Sequence, residues 1–221
     1  MTPPLTFNVS HTCQESSARV GQVSTLHGAF DTPAFMPVGT RASVKGLSPD
    51  QVAQSGSQIL LNNAYHLMLR PGDAMIADRG GVHEFMRWNG PILTDSGGYQ
   101  AFSMADINAI DDEGVTVKSI IDGAKVHLGP ERAMEVQNNL GADIIMAFDD
   151  CPPARSPDEG DPRAMGAFRQ RLEIAVDRTT DWLKRCIESH ARADEQSLFG
   201  IVQGGPHSCL LYTSPSPRDR G

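Results

Sequence analysis

Asp95 occupies a position where a carboxylate could carry chemistry, because it ends the apolar run Pro91–Leu93 and precedes a Ser-Gly-Gly sequence. A carboxylate can give or take a proton during a reaction. The two glycines add no side-chain bulk, so a flat ligand could approach the main chain closely. Tyr99, in the same turn, offers a face for stacking. The same Asp-Ser-Gly-Gly sequence also suits a β-turn or a helix N-cap, and this motif alone leaves both interpretations open.

Two further apolar runs, Ile144–Phe148 and Leu198–Val202, are followed by polar side chains that could bind a ligand. Asp149 and Asp150 close the run Ile144–Phe148, and buried adjacent carboxylates are costly unless they are solvated or paired with donors. One of them could accept hydrogen bonds from a ligand, although a helix cap or a solvated loop is the alternative. Gln203 precedes two glycines and offers one donor and one acceptor, but a turn explains it equally well.

The histidines and cysteines give no metal-binding spacing, and we predict no metal site. His66 lies near Asn63, which follows the apolar run Gln58–Leu61; we interpret His66 as structural. Cys151 is interpreted as a small wall residue, because no neighbouring base is evident that would activate it. The four cysteines lie far apart and form no CxxC pair: Cys13, Cys151, Cys186 and Cys209.

Composition describes an ordinary globular chain, with 39% hydrophobic and 21% charged residues and a net charge of −8. This charge gives no basic footprint for nucleic acid, although 15 arginines against 4 lysines could still form a local patch. No signal peptide and no run of about 20 apolar residues is visible. We therefore expect a cytoplasmic protein without disulfides.

Short apolar strands alternate with helices along most of the chain. The predicted strands are Ala34–Val38, Gln58–Leu61, Pro91–Leu93, Ile144–Phe148 and Leu198–Val202. The first predicted helix begins after Ser48 as N-cap, with Pro49 at its first position. The other predicted helices cover Pro71–Gly80, Pro130–Leu140 and Pro162–His190. Such alternation is typical of a parallel sheet covered by helices. Pro37 lacks an N–H, so the first of these strands should be brief or irregular.

Two regions depart from this rhythm. Leu5–Ser10, Ala18–Gly21 and Ser24–Ala29 predict antiparallel strands at the N-terminus, and residues 102–127 predict an inserted antiparallel excursion. In the long helix, the predicted apolar face consists of Phe168, Leu172, Ala175, Trp182 and Ile187.

The strand ends favour a barrel over a doubly wound sheet. No GxGxxG or GxxxxGK[ST] sequence follows a strand, so the phosphate-binding turn of nucleotide-binding doubly wound folds is missing. Four strands instead end near a carboxamide or carboxylate, at Asn63, Asp95, Asp149 and Gln203. In a (β/α)8 TIM barrel these ends surround one opening, where catalytic groups lie. We predict such a barrel, truncated after about the fifth strand.

Five motifs, taken in order, resemble one family. They are PAFMPVGT (33–40), NNAYHLMLRPG (62–72), GPILTDSGGYQAFS (90–103), GPERAMEVQNNLGADIIMAFDDC (129–151) and LFGIVQGG (198–205). Together they resemble the N-terminal part of tRNA-guanine transglycosylase (queuine tRNA-ribosyltransferase), in its bacterial form.

This resemblance implies an enzyme that exchanges guanine at the tRNA wobble position for 7-aminomethyl-7-deazaguanine in queuosine biosynthesis. It implies that Asp95 is the general acid/base and that Asn63 supports it. Asp149 and Gln203 would hydrogen-bond the polar edge of the base, and Tyr99 would stack on its face. The remaining pocket residues implied by the family are Ser96, Gly97 and Gly98. The expected partners are tRNA and the 7-deazaguanine base, with a homodimer for the complete protein and no membrane.

The resemblance covers residues 1–205, and residues 206–221 are expected to be a non-family tail that is disordered or artefactual. The family's nucleophilic aspartate, which bonds covalently to the ribose, has no counterpart in this sequence. The same holds for the Cys/His ligands of the one structural zinc of the complete family member. We therefore expect no cofactor in this segment and no activity from the chain by itself.

Two other functions remain open at this stage. One is a non-catalytic tRNA- or partner-binding paralogue of the same family, which need not retain residues that read the base. The other is a different barrel enzyme that uses a pair of carboxylates, such as a glycosidase. Asp95, Tyr99, Asp149 and Gln203 favour the transglycosylase.

Overall fold

A computed structural model describes residues 3–99, 107–153, 158 and 160–213. In chain order the strands are β1 (Thr6–Thr12), β2 (Arg19–Thr25), β3 (Gly28–Thr32), β4 (Leu60–Asn62), β5 (Ile92–Thr94), β6 (Ile107–Ile110), β7 (Val115–Lys118), β8 (Lys125–Leu128), β9 (Ile144–Met146) and β10 (Ser197–Phe199). The helices are α1 (Pro49–Gln54), α2 (Ala64–Leu69), α3 (Asp73–Ala77), α4 (Gly81–Met86), α5 (Pro130–Leu140), α6 (Pro162–Ser189) and α7 (Ser208–Thr213). The fold is mixed α/β.

The chain divides into two compact units. The first consists of Met1–Ser96, Glu135–Ile145 and His190–Phe199. The second consists of Gly97–Met134, Met146–Ser189 and Gly200–Gly221. No helix in the described part of the chain is long and apolar enough to cross a membrane.

The first unit contains a four-stranded sheet with the order β10-β9-β5-β4. β4 pairs in parallel with β5, and β5 pairs in parallel with β9. The strand predicted at Ala34–Val38 is reduced to one parallel bridge between Val38 and Leu61. Pro37 still accepts a hydrogen bond from the Leu61 N–H, but it has no N–H with which to continue the ladder. Strands that follow one another in sequence are therefore neighbours in this sheet.

An antiparallel sheet of β1, β2 and β3 completes the first unit. Val23 of β2 and Phe30 of β3 are buried against Ile59 and Ile144. Removal of these apolar side chains from water stabilises the packing of the two sheets at roughly 25 cal/mol per Å². The predicted N-terminal strands are confirmed, with boundaries shifted by a few residues.

The second unit contains an antiparallel sheet of β6, β7 and β8, which lies in the excursion predicted for residues 102–127. Residues 102–106 of that range lie outside the described part of the chain. The helix α6 buries one face, and its Trp182 ring packs 5.0 Å from the Phe148 ring. The prediction that Ile187 belongs to this face is wrong, because its side chain is exposed. Cys186 is buried instead, since a residue four positions after Trp182 returns to the same side of a helix and one five positions after does not.

Local signals set the helix ends in the first unit. Ser48 and Gln51 form a capping box at the start of α1, with Pro49 at the first turn, as predicted. The predicted helix Pro71–Gly80 is shorter in the structure, where it is α3. Gly80 and Gly81 both have positive φ angles, +88° and +89°, which favour glycine and end the helical run before α4 begins.

The segment 206–221 contains one described element, the short helix α7. This helix covers Ser208–Thr213, and the expectation of a non-family tail over residues 206–221 stays a prediction. The later residues, 214–221, lie outside the described part of the chain.

Candidate active site

Asp95 is held by main-chain and side-chain donors at the carboxyl end of β5. Its N–H donates to the Asn62 carbonyl at 3.2 Å, and its Oδ1 accepts the Ala64 N–H at 2.9 Å. The Asn63 side-chain amide donates to the other carboxylate oxygen. The Asp95 side chain thus has a fixed orientation, and the residue remains half-buried.

The same contacts explain why α2 begins where it does. Asn63 occupies the N-cap position of α2, but its side chain makes no cap hydrogen bond. Asp95 instead satisfies the N–H of the first helical residue from a position 31 residues away. A carboxylate is favourable at this end of a helix, where unpaired N–H groups lie. The family resemblance implies that Asn63 supports Asp95, and the two side chains are in contact.

His66 and Ser96 lie within the same unit and are both buried. Burial lowers the pKa of His66, and the positive charge of Arg41 lowers this pKa further. Its Nδ1 makes no hydrogen bond within the described residues. His66 is therefore a neutral imidazole at neutral pH and does not add a positive charge near the end of β4.

Asp149 and Gln203 are in contact in the second unit. The Gln203 amide donates to Asp149 Oδ2 at 2.7 Å. Burial raises the pKa of Asp149 to about 6, and the negative charge of Asp150 acts in the same direction, while the hydrogen bond from Gln203 opposes them. The result is a buried carboxylate that is ionised at neutral pH and that holds a carboxamide beside it.

Asp150 has a different environment, which sequence reasoning missed. The residue is fully buried. Arg171 donates to both carboxylate oxygens of Asp150, and its distance to Oδ2 is 2.9 Å. Arg178 also donates to Oδ2, at 2.8 Å. Its main-chain N–H donates to the Thr179 hydroxyl at 3.1 Å. Two guanidinium groups compensate the buried charge, which would be strongly destabilising if it were left alone.

The sequence contains a pattern that indicates the pairing of Asp150 with two arginines. Arg171 and Arg178 stand seven positions apart in α6, and this spacing places both side chains on the same face of a helix. The adjacent Asp149-Asp150 pair needed cationic partners if it was to be buried. The sequence did not specify which of the two carboxylates would take them.

The remaining predicted pocket residues are Gly97, Gly98 and Tyr99. Both glycines are buried, and Gly97 has a φ angle of +79°, a left-handed conformation that favours glycine. Tyr99 is exposed, with 64% of its surface accessible. An aromatic ring in this state has a face available to a ligand. Cys151 is half-buried, and burial raises the pKa of its thiol, which does not suit a nucleophile.

The cysteines do not fit the Cys/His zinc site that the resemblance implies for the complete protein. All four are free thiols. A structural zinc is held by four closely spaced ligands. Within the described residues, the group of side chains that could hold a metal ion is His27, His83 and Asp143, which contains no cysteine.

Comparison with known proteins identifies a family for this chain. The family model described as queuine tRNA-ribosyltransferase matches residues 13–214. The chain belongs to this family. The matched region runs past Gly205 and so includes the first part of the segment 206–221.

Proteins named queuine tRNA-ribosyltransferase are similar over nearly the whole chain. The protein of Lysinibacillus sphaericus is 49% identical over 212 residues, which are 96% of this chain and 53% of the relative. A Staphylococcus aureus protein is 48% identical over the same shares. A Macrococcus caseolyticus protein is 47% identical over 95% of this chain and 52% of its own length. The chain thus spans about half the length of the relatives it matches.

Proposed function

We propose that this chain supplies the base-reading part of a tRNA-guanine transglycosylase, which exchanges guanine at the tRNA wobble position for 7-aminomethyl-7-deazaguanine. The observation that supports this most directly is the hydrogen-bonded pair of Asp149 and Gln203 in a chain of this family. A guanine-type base presents N–H donors and a carbonyl acceptor along one edge. A buried carboxylate can accept hydrogen bonds from the N–H groups of the base, and a carboxamide can donate to its carbonyl or accept from a further N–H.

In this proposal Asp95 moves the ring proton of the leaving and incoming bases. Its carboxylate is oriented by Asn63 and by the Ala64 N–H, so it needs little reorganisation during the proton transfer. General acid/base catalysis of this kind is typically worth ~10²–10⁴-fold in rate. Tyr99 stacks on the base, and Ser96, Gly97 and Gly98 line the pocket.

We also propose that the complete protein forms a (β/α)8 barrel of which this chain contributes about five strands. The order β10-β9-β5-β4 supports this, because strands adjacent in sequence are adjacent in the sheet. A doubly wound sheet would instead reverse its strand order at a switch point. Asn63, Asp95, Asp149 and Gln203 each follow the carboxyl end of one of these strands in the sequence, where barrel enzymes carry their catalytic groups.

Base exchange in this proposal requires a nucleophilic aspartate that the 221 residues do not supply. We expect the chain as given to incorporate no labelled guanine into tRNA, because the covalent bond to the ribose cannot form without that group. Incorporation that scales with the concentration of chain would overturn this part of the proposal.

Binding of free bases tests the base-reading role without the nucleophile. In calorimetric titrations of the folded chain we expect 7-aminomethyl-7-deazaguanine and guanine to bind and adenine not to bind. Adenine presents an acceptor where guanine presents an N–H, so the buried carboxylate would be left unpaired, and sites of this kind reject such analogues strongly. Failure of all three bases to bind to a folded sample would favour the non-catalytic paralogue.

A further inference from the structure

A second group of polar side chains lies at the other end of the parallel sheet in the first unit. Asp143 immediately precedes β9, and Ile92 is the first residue of β5. The Ile92 N–H donates to Asp143 Oδ2 at 2.9 Å, so this carboxylate lies at the amino ends of the two strands. Asp95 follows the carboxyl end of β5. The group around Asp143 is therefore distinct from the proposed base pocket.

Two histidines converge on the Asp143 carboxylate. His27 Nδ1 lies 2.8 Å from Oδ1, and His83 Nε2 lies 3.0 Å from Oδ2. The two imidazole rings stack with centroids 3.7 Å apart and an interplanar angle of 15°. The donor atoms of the three residues all lie within 4.8 Å of one another. Two ring nitrogens and one carboxylate thus lie close together, with each nitrogen beside a different carboxylate oxygen.

From this geometry we infer that His27, His83 and Asp143 form a binding site for a divalent transition-metal ion, with zinc as the preferred ion. Imidazole nitrogen and carboxylate oxygen are both ordinary zinc ligands, at about 2.0–2.2 Å from the ion. Those bond lengths place neighbouring ligand atoms roughly 3 Å apart or slightly more. The observed N–O separations of 2.8 and 3.0 Å are close to that value. To bind the ion, the exposed His27 ring turns out of its stack with His83, and the ion replaces the protons shared with Asp143.

The surroundings supply the outer contacts that hold a metal ligand in place. Besides the Ile92 N–H, the His27 main-chain N–H reaches Asp143 Oδ1 at 3.3 Å. Such outer contacts orient the residues that bind the metal, and their removal commonly changes metal affinity by ~10–100-fold.

An ion can reach the site from solvent. The His27 side chain is 43% exposed, whereas those of His83 and Asp143 are almost fully buried. His27 and His83 both line a cavity of about 620 Å³. The cavity has room for water molecules to complete the coordination. Glu84 on its wall adds negative charge, whereas Glu195 is paired with Arg192. A group with three protein ligands and open positions suits a site that exchanges its ion with solvent.

The test is a zinc titration of the chain with a matched set of variants. Cys13 and Cys209 are exposed thiols, so the titrations use the Cys13→Ser, Cys209→Ser background to remove competing ligands. Calorimetry of this metal-stripped chain should show one zinc bound per chain. His27→Ala should weaken the affinity at least about tenfold, by loss of one of three ligands. His11→Ala, which removes an exposed histidine of β1, should leave the affinity unchanged.

Cobalt serves as a spectroscopic probe of the same ligands. The Co²⁺-loaded chain should show visible d–d absorption without a thiolate charge-transfer band, and His27→Ala or His27→Gln should abolish this absorption. His27 is the most exposed of the three ligands, so these variants should retain the fold, which circular dichroism checks. No binding, equal affinity in the folded His27 variants and the parent, or a thiolate band would each overturn the inference.

Discussion

At the scale of single residues, two adjacent carboxylates have opposite environments. Asp150 is bound by Arg171 and Arg178, while Asp149 has the uncharged amide of Gln203 as its partner. The two guanidinium groups hold Asp150 in a structural role. Asp149 retains hydrogen-bonding capacity for a ligand, and burial together with the neighbouring charge of Asp150 raises its pKa to about 6. Strongly perturbed carboxylates of this kind are typical of functional sites.

The raised pKa of Asp149 predicts a pH-dependent effect of Asp149→Asn on stability. Its unfolded pKa is about 3.9, so the folded protein gains from protonation of Asp149 below that value. This gain is lost as the pH rises through about 6. The variant removes the buried charge, and its amide oxygen can still accept from Gln203. We expect it to be stabilised by roughly 2–3 kcal/mol at pH 8 and by little near pH 4, as measured by urea unfolding. An equal effect at both pH values would contradict the prediction.

At the scale of elements, α6 carries two kinds of ion pair on its different faces. Arg178 is mostly buried and bonds Asp150, whereas Arg169 pairs with Glu173 in solvent. Removal of one partner from a buried pair leaves an uncompensated charge, which costs about 3–5 kcal/mol when the burial is complete. Exposed pairs contribute about 0–1 kcal/mol. Substitution of arginine by alanine should therefore lower the free energy of unfolding more at position 178 than at position 169.

We expect Arg178→Ala to lower the free energy of unfolding by roughly 2–4 kcal/mol, since Arg171 still compensates part of the charge on Asp150. Arg169→Ala, the matched control, should change it by less than about 1 kcal/mol. Chemical denaturation of both variants at neutral pH measures the difference. Similar losses in the two variants would show that the Asp150 network is not a main stabilising feature of α6.

The helices also show which parts of the fold could be predicted from the sequence. The start of α1 was predicted because its cap is local, with Ser48 and Gln51 both adjacent to the helix. α2 was missed because the group that satisfies its first N–H is Asp95, 31 residues away. Periodicity predicted the length of α6, but it did not distinguish Cys186 from Ile187, since both are apolar and only their angular positions differ.

At the scale of the whole chain, strand order was the most predictable property. Apolar runs between helices predicted parallel pairing, and β4, β5 and β9 pair in parallel. Contacts between distant segments were not predictable in the same way. The convergence of His27 and His83 on Asp143 joins residues up to 116 positions apart, and no local spacing encodes it. Asp95 and Asn63 were predicted to be neighbours only because the family resemblance placed them together.

The same distinction applies to the candidate site. The motifs predicted Asp149 and Gln203 as polar residues at strand ends, and the structure places their side chains in contact. They did not predict that Asp150 would take the two arginines. That division depends on which side chain the backbone directs towards α6, and a pattern of residue types carries no information about it.

The affinity of the chain for 7-aminomethyl-7-deazaguanine, measured by calorimetry in the parent and in variants, tests the central claim most directly. We predict that Asp149→Asn weakens binding at least about tenfold at pH 7.5, because a charge-assisted hydrogen bond is lost. The control Asp181→Asn, an exposed carboxylate of α6, should bind as the parent does. Parent affinity should also fall about tenfold at pH 5, where Asp149 is protonated. Equal affinities in the parent and Asp149→Asn, at both pH values, would contradict the account.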